Sequence, residues 1–221
     1  MASTLCLLRA PANLRSIAAI RPVAPLAQSR SNRSFHKTVP SRQAGPSQPA
    51  INEGSTKDPS HSYLHYHPTN THTILSFLPR PPALARSKTV LGYLPLGEAT
   101  LDDFREEPEF RKVLDDAIKS GLEQGKSQSV TFEAETRPGD GWIHITDERA
   151  IPPAGRIGET EDLVGSVYVQ DGKIVASTYS PLPTYRLVTT NGVLTLPRGL
   201  DEHLVRVLES IDEDERGQIP V

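Results

Sequence analysis

Residues 163–196, LVGSVYVQDGKIVASTYSPLPTYRLVTTNGVLTL, decide the fold. Leu163–Val169 and Lys173–Tyr179 are rich in β-branched residues and flank Asp171-Gly172, while Tyr185–Thr190 and Val193–Leu196 flank Asn191-Gly192. Asp-Gly and Asn-Gly suit two-residue hairpin turns, whose central positions need positive φ. Strands joined this tightly must run antiparallel.

Upstream, Trp142–Thr146 reads as another strand with Ile143 and Ile145 turned inward. Val130, Phe132 and Ala134 alternate with Thr131, Glu133 and Glu135, as a half-buried strand requires, and Thr136–Asp140 supplies the turn between the two. Asp147–Asp162 has no pattern of its own and reads as a long surface connection. Residues 71–78 (THTILSFL) and 89–94 (TVLGYL) read as strands, joined by Pro79–Lys88 with its three prolines and three cations. Between strand regions, Phe110, Val113, Leu114, Ala117, Ile118, Gly121 and Leu122 line one face of a helix. Thr100 with Asp103 and then Pro108 signal its start, and Gly125 its stop. Leu200, Leu204, Val207, Leu208 and Ile211 mark a second amphipathic helix. The expected fold is α+β: a mainly antiparallel sheet of about six to eight strands with two amphipathic helices packed on one face.

The N-terminal fifth has a different composition. All 27 acidic residues of the 221-residue chain lie at or after Glu53, while Arg9, Arg15, Arg21, Arg30, Arg33, Lys37, Arg42 and seven serines precede it. A cationic, Ser-rich, acid-free stretch has the composition of a mitochondrial transit peptide, and Leu5, Leu8, Ile17 and Ile20 offer it an apolar face. A secretory signal would need an unbroken apolar run, which Arg9, Pro11, Asn13 and Arg15 interrupt. The expected organisation is a transit peptide at 1–42, a flexible leader at 43–60, one α+β domain at 61–212 and a solvated tail at 213–221. No stretch approaches the roughly 18 apolar residues of a spanning helix, and mean hydropathy is −0.40.

Residues 33–42 (RSFHKTVPSR) resemble the two-step cleavage pattern of mitochondrial matrix precursors. There a first peptidase cuts one residue after an Arg, and a second removes eight residues that begin with an aromatic and carry Ser, Thr or Gly fourth. Phe35 and Thr38 fit, so the resemblance implies a mature start near Gln43. The Arg-Ser-Phe-His wording is similar to that of precursors from filamentous fungi, and the whole chain resembles uncharacterised fungal mitochondrial proteins. The resemblance implies a mitochondrial location, in the matrix, and implies nothing about activity.

Residues 43–221 keep 17 Lys+Arg against 27 Asp+Glu, a formal charge near −10. Such a surface disfavours non-specific nucleic-acid binding, which needs a net cationic footprint. The single Cys, Cys6, falls in the presequence, so thiolate nucleophiles and cysteine-held metal centres are not expected in the mature chain.

Four groups of residues could carry chemistry. His61, His65, His67 and His72 crowd one segment, and an extended 61–67 would put His61, His65 and His67 on one face as possible metal ligands. If 130–146 is a hairpin, Glu133 falls opposite His144, where a carboxylate could orient an imidazole as a general base beside Trp142. Arg149 and Arg156 in the long loop could hold an anion, as could Arg80, Arg86 and Lys88 around Pro81-Pro82. Each has a plainer reading as solvated polar surface. The P-loop, Rossmann and nucleophile-elbow motifs are all missing. The sequence therefore supports a mitochondrial accessory or assembly factor that acts without catalysis, by binding another mitochondrial protein or complex, with no cofactor. The alternative is a metal-assisted hydrolase built on the 61–72 histidines with Glu133 or His144.

Overall fold

A computed structural model describes residues 54–218, apart from 85, 154, 155 and 157. The transit peptide expected at 1–42, most of the leader and residues 219–221 lie outside the described residues. The fold is α+β, with three helices and ten strands in three sheets, and every strand pair is antiparallel among the described residues.

The first sheet has five strands in sequential order: β1 (Thr56–Lys57), β2 (His65–Pro68), β3 (His72–Ser76), β4 (Val90–Pro95) and β5 (Arg105–Glu106). The leader thus ends earlier than expected, since Thr56–Lys57 already pairs with β2. Thr100 and Asp103 do form a cap, with the Asp103 carboxylate accepting from the Thr100 N–H at 2.9 Å and O–H at 2.7 Å. It closes only a 3-10 turn at Leu101–Asp103, and α1 (Pro108–Glu123) starts five residues later with Pro108 in its first turn. There Pro loses nothing, because the first helical N–H groups have no intrahelical partner. The predicted stripe is the buried one: Phe110, Leu114, Ala117, Ile118, Gly121 and Leu122.

The segment that alternates at 130–135 is a helix, α2 (Gln128–Thr136). Gly125 ends α1 at φ 61°, and the Ser127 hydroxyl accepts from the Val130 N–H, which caps the next helix at once. Only Val130 and Ala134 are buried, four residues apart on one face, while Phe132 is 66% exposed. Two helices in succession separate β5 from the next strand, so the single sheet of six to eight strands splits and the helix count rises to three.

The second sheet is β6 (Gly141–Thr146), β7 (Leu163–Gln170) and β8 (Lys173–Pro181), in that order. Asp171 and Gly172, at φ 49° and 72°, make the expected tight turn. Ile143, Ile145, Val167, Val169 and Ala176 are buried. Trp142, Tyr168 and Val175 form a cross-strand row of the opposite parity. At the free edge of β6 the Trp142 carbonyl accepts from the Arg137 guanidinium at 2.7 Å.

The Asn-Gly hairpin is shifted by one residue. β9 (Val188–Thr189) pairs with β10 (Gly192–Val193) so that Gly192 faces Thr189, leaving Thr190 and Asn191 as the turn. Finally α3 spans Leu200–Gly217, six residues beyond the last expected apolar position. Asp212–Arg216 is therefore helix and not solvated tail, and Asp212 and Glu215 are buried. Helices α1 and α3 pack closely at Gly121, where a Cβ would come within 2.6 Å of Leu200 and 3.1 Å of His203. At the start of α3, Gly199 has φ 92°, and a Cβ there would collide with the Lys126 carbonyl. No helix among the described residues is long and apolar enough to cross a membrane.

Candidate functional site

The histidine segment does not form one extended face. Residues 61–64 bend before β2 begins at His65, because Asp58 gathers the chain. Its carboxylate accepts from the Ser60 N–H at 2.7 Å, the Ser60 hydroxyl at 2.6 Å and the Tyr66 hydroxyl at 2.9 Å. His61 leaves the strand face and stacks on Phe77, with ring centroids 5.3 Å apart. Its Nε2–H donates to the Leu194 carbonyl at 2.9 Å, while Nδ1 accepts from the N–H groups of Tyr63 and Leu64. Both nitrogens are thereby committed. His65 donates through Nδ1–H to the Tyr63 carbonyl, and His67 through Nε2–H to the Leu78 carbonyl. Burial pushes the His67 pKa below the usual imidazole value, and its Nδ1 has no partner among the described residues. His72 bonds Thr71 and meets Tyr93 edge-on. Among the described residues no group of three or more His, Cys, Asp or Glu is placed to hold a metal ion.

Glu133 and His144 are not brought together. The hairpin that would pair them does not exist: Glu133 is exposed on α2, and His144 faces Ser166 across β6–β7, with Nδ1 2.8 Å from the hydroxyl.

Arg149 is not an open anion site either. Its side chain is 2% exposed, and Nε donates to Asp162 at 2.8 Å. Nη1 reaches the Leu187 carbonyl, and Nη2 those of Glu161 and Arg186. Asp147 completes the hub, accepting from the Arg149 and Thr195 N–H groups and from the Tyr185 hydroxyl at 2.8 Å. Burial lifts the Asp147 carboxyl above the ordinary range, against the pull of Arg149 and these donors. The Tyr185 ring, itself buried, lies 5.4 Å from the Arg149 guanidinium carbon. The long 147–162 connection is closed at its base, with the Asp147 N–H on the Asp162 carbonyl at 2.8 Å. Arg156, on its outer part, is exposed.

The basic 80–88 loop finds its anions within the chain. The Arg80 guanidinium lies 3.7 Å from Asp212, and the Lys88 N–H donates to Glu215 at 3.1 Å. Arg216 bonds both Asp212 at 2.8 Å and the Pro81 carbonyl at 2.6 Å. Arg86 and the Lys88 side chain are exposed.

One nucleophile–base pair escaped sequence reading: Ser120 Oγ lies 2.8 Å from His203 Nε2 between α1 and α3. Ser120 sits within a helix and also donates to the Ala117 carbonyl, and burial with Lys126 and Arg206 nearby lowers the His203 pKa. The pair fastens two helices where Gly121 lets them meet. No carboxylate bonds the ring among the described residues, so the third member of a catalytic triad is missing.

Two surfaces remain that could receive another molecule. On the open face of the second sheet, Trp142 meets Tyr168 edge-on with centroids 5.6 Å apart, and the next row is His144, Ser166 and Ser180. Trp142 is 51% exposed. Elsewhere a cavity of about 90 Å³ lies between residues 60–63, Phe77, Leu194–Leu196 and α3. No family model, curated protein or solved structure matches the chain.

Proposed function

We propose that this protein is a mitochondrial accessory or assembly factor, imported to the matrix by residues 1–42, that acts by binding another protein through the open face of the β6–β7–β8 sheet. The observation that carries this reading is the Trp142–Tyr168 pair. A large aromatic left half in solvent on a strand, braced by a second aromatic, is the kind of group that dominates binding energy in protein interfaces. His144 and Ser166 add hydrogen-bonding capacity beside it. The buried charges offer little to a reaction, because Arg149, Asp147 and Asp162 are bonded to the fold itself. The metal-assisted alternative lacks a three-donor group among the described residues.

The test places a photo-crosslinking amino acid at exposed Ser180, in the row next to the aromatic pair, and separately at exposed Lys119, in isolated mitochondria. A discrete adduct from 180 that is lost with Trp142→Ser, with none from 119, supports the reading. Equal labelling from both positions, none from 180, or an adduct from 180 that survives Trp142→Ser rejects it.

A further inference from the structure

The cavity between residues 60–63, Phe77, Leu194–Leu196 and α3 runs from the surface into the core. Ser60 and Ser62 on its lining are exposed, whereas Phe77, Leu194, Leu196 and Leu204 are buried. Its volume of about 90 Å³ is that of about three waters, or of a branched alkyl group of about four or five carbons. A mainly apolar hollow takes a mainly apolar ligand, and its few free polar groups decide the chemistry of the ligand's other end.

Most polar atoms of the lining are already used. His61 bonds the Leu194 carbonyl through Nε2 and the Tyr63 and Leu64 N–H groups through Nδ1, so it offers the cavity only ring surface. The Ser60 hydroxyl donates to Asp58, and the Thr195 hydroxyl to the Val193 carbonyl. Asp201 differs. Its Oδ1 accepts from the Gly199 N–H at 2.8 Å and the Glu202 N–H at 2.7 Å, which holds the carboxylate in the first turn of α3. Among the described residues its Oδ2 accepts no hydrogen bond and Asp201 forms no ion pair, whereas Glu202 lies 3.8 Å from Arg206. Tyr63 senses the resulting field. Its pKa is raised by burial first and then by Asp201 and Glu202, ahead of the opposing pull of Arg198 and Arg206.

We propose that this cavity is a binding site for a short aliphatic ammonium, with its branched chain among Phe77, Leu194, Leu196 and Leu204 and its N–H groups on Asp201. An ammonium has donors alone, which suits a carboxylate oxygen that has no partner. A ligand ending in a carboxylate would meet Asp201 as a like charge, and an alcohol would bring a donor without the charge that strengthens the bond. Asp201 is half-buried and the apolar floor is buried, so the ligand lies with its charge outward. A lysine side chain, which leads with its charge, does not fit that order. Two sources of the right chemistry are a free monoamine and the N-terminus of a peptide that begins with an aliphatic residue.

The experiment titrates the full chain, labelled with heavy nitrogen, with isoamylamine at neutral pH and follows the amide resonances by NMR. Saturable shifts confined to residues 60–63, 194–196 and 201–205 are expected. Isoamyl alcohol has the same skeleton and should bind about tenfold more weakly, for want of one hydrogen bond between charged groups, and isovalerate should not bind. Asp201→Asn keeps an acceptor for the Gly199 and Glu202 N–H groups and should erase the preference for amine over alcohol. Val205→Phe fills the cavity from a half-buried position and should abolish binding of both, which secures the test if one variant fails to fold. Leucinamide separates the sources: binding at least as tight as that of isoamylamine assigns a peptide N-terminus, and weaker binding a free amine. No saturable shift with isoamylamine, equal affinity for amine and alcohol in the unaltered protein, a preference that survives Asp201→Asn, or binding that survives Val205→Phe would overturn the proposal.

Discussion

Two regions bury ionised side chains, and they do so in opposite ways. Around Arg149 each charged group is enclosed and answered: Asp147 and Asp162 take donors from several segments, and the guanidinium reaches carbonyls of Glu161, Arg186 and Leu187. At the end of α3, Asp212 and Glu215 are also enclosed, yet Asp212 Oδ1 and Glu215 Oε2 lack a partner among the described residues. Their cationic partners lie outward, with the Arg216 side chain 37% and that of Arg80 59% exposed. The first arrangement fixes one geometry for four stretches of chain. The second fastens a loop to a helix with bonds that water can replace. Burial of charge alone does not say how much a site matters; what remains after a partner is removed does.

That contrast can be broken by substitution. Arg149→Met leaves two enclosed carboxylates without their cation and should cost about 3–5 kcal/mol, read from urea unfolding, with cooperative folding itself at risk. A loss no greater than that of Asp212→Asn would erase the distinction. Tyr185→Phe removes one hydrogen bond to the ionised Asp147 and should cost about 1.5–3 kcal/mol in the same assay. Asp212→Asn should cost about 1 kcal/mol or less, because the cations it frees can turn to solvent. Adding salt should shrink the Asp212 effect and leave the Arg149 effect nearly unchanged.

The gentlest probe is pH. Burial holds the His67 pKa below the ordinary imidazole value of 6.5, so in acid the unfolded chain takes up a proton that the folded chain refuses. Stability should fall as the pH drops below about 6.5, and this residue should contribute nothing above that value. His67→Asn should flatten the difference between urea midpoints at pH 7.5 and 5.5. An unchanged slope would show that the ring is hydrated in the folded state.

What the sequence displays depends on which atoms hold the structure. Ile143 and Ile145, the Asp171-Gly172 turn and the Phe110–Leu122 stripe announce themselves, because apolar period and turn chemistry act through side chains. Helix α2 was hidden: six residues that alternate apolar and polar mimic a strand, and its burial rests on Val130 and Ala134 alone. The informative signal was Ser127, a helix cap directly after the Gly125 stop. The last turns of α3 were hidden for a related reason, since Asp212 and Glu215 continue the buried stripe with carboxylates. Arg149 is visible as a cation in a patternless loop, but four of its partners are main-chain carbonyls, those of Glu161, Arg186, Leu187 and Gly192, which no side-chain pattern encodes. The open aromatic face was half legible. Trp142 alternates with the inward Ile143 and Ile145, whereas its neighbour Tyr168 depends on the β6–β7 register, which no local pattern encodes.

The Arg137 guanidinium on the Trp142 carbonyl has a colloidal consequence. A rim strand with free carbonyls and an exposed indole is a template for stacking one molecule on the next into filaments. One bulky cation seated on that rim makes a neighbouring strand's approach costly, and like-charged rims repel. Concentrated stocks of the protein should therefore stay clear on storage, whereas Arg137→Ala should scatter light with time and bind thioflavin without any prior loss of fold.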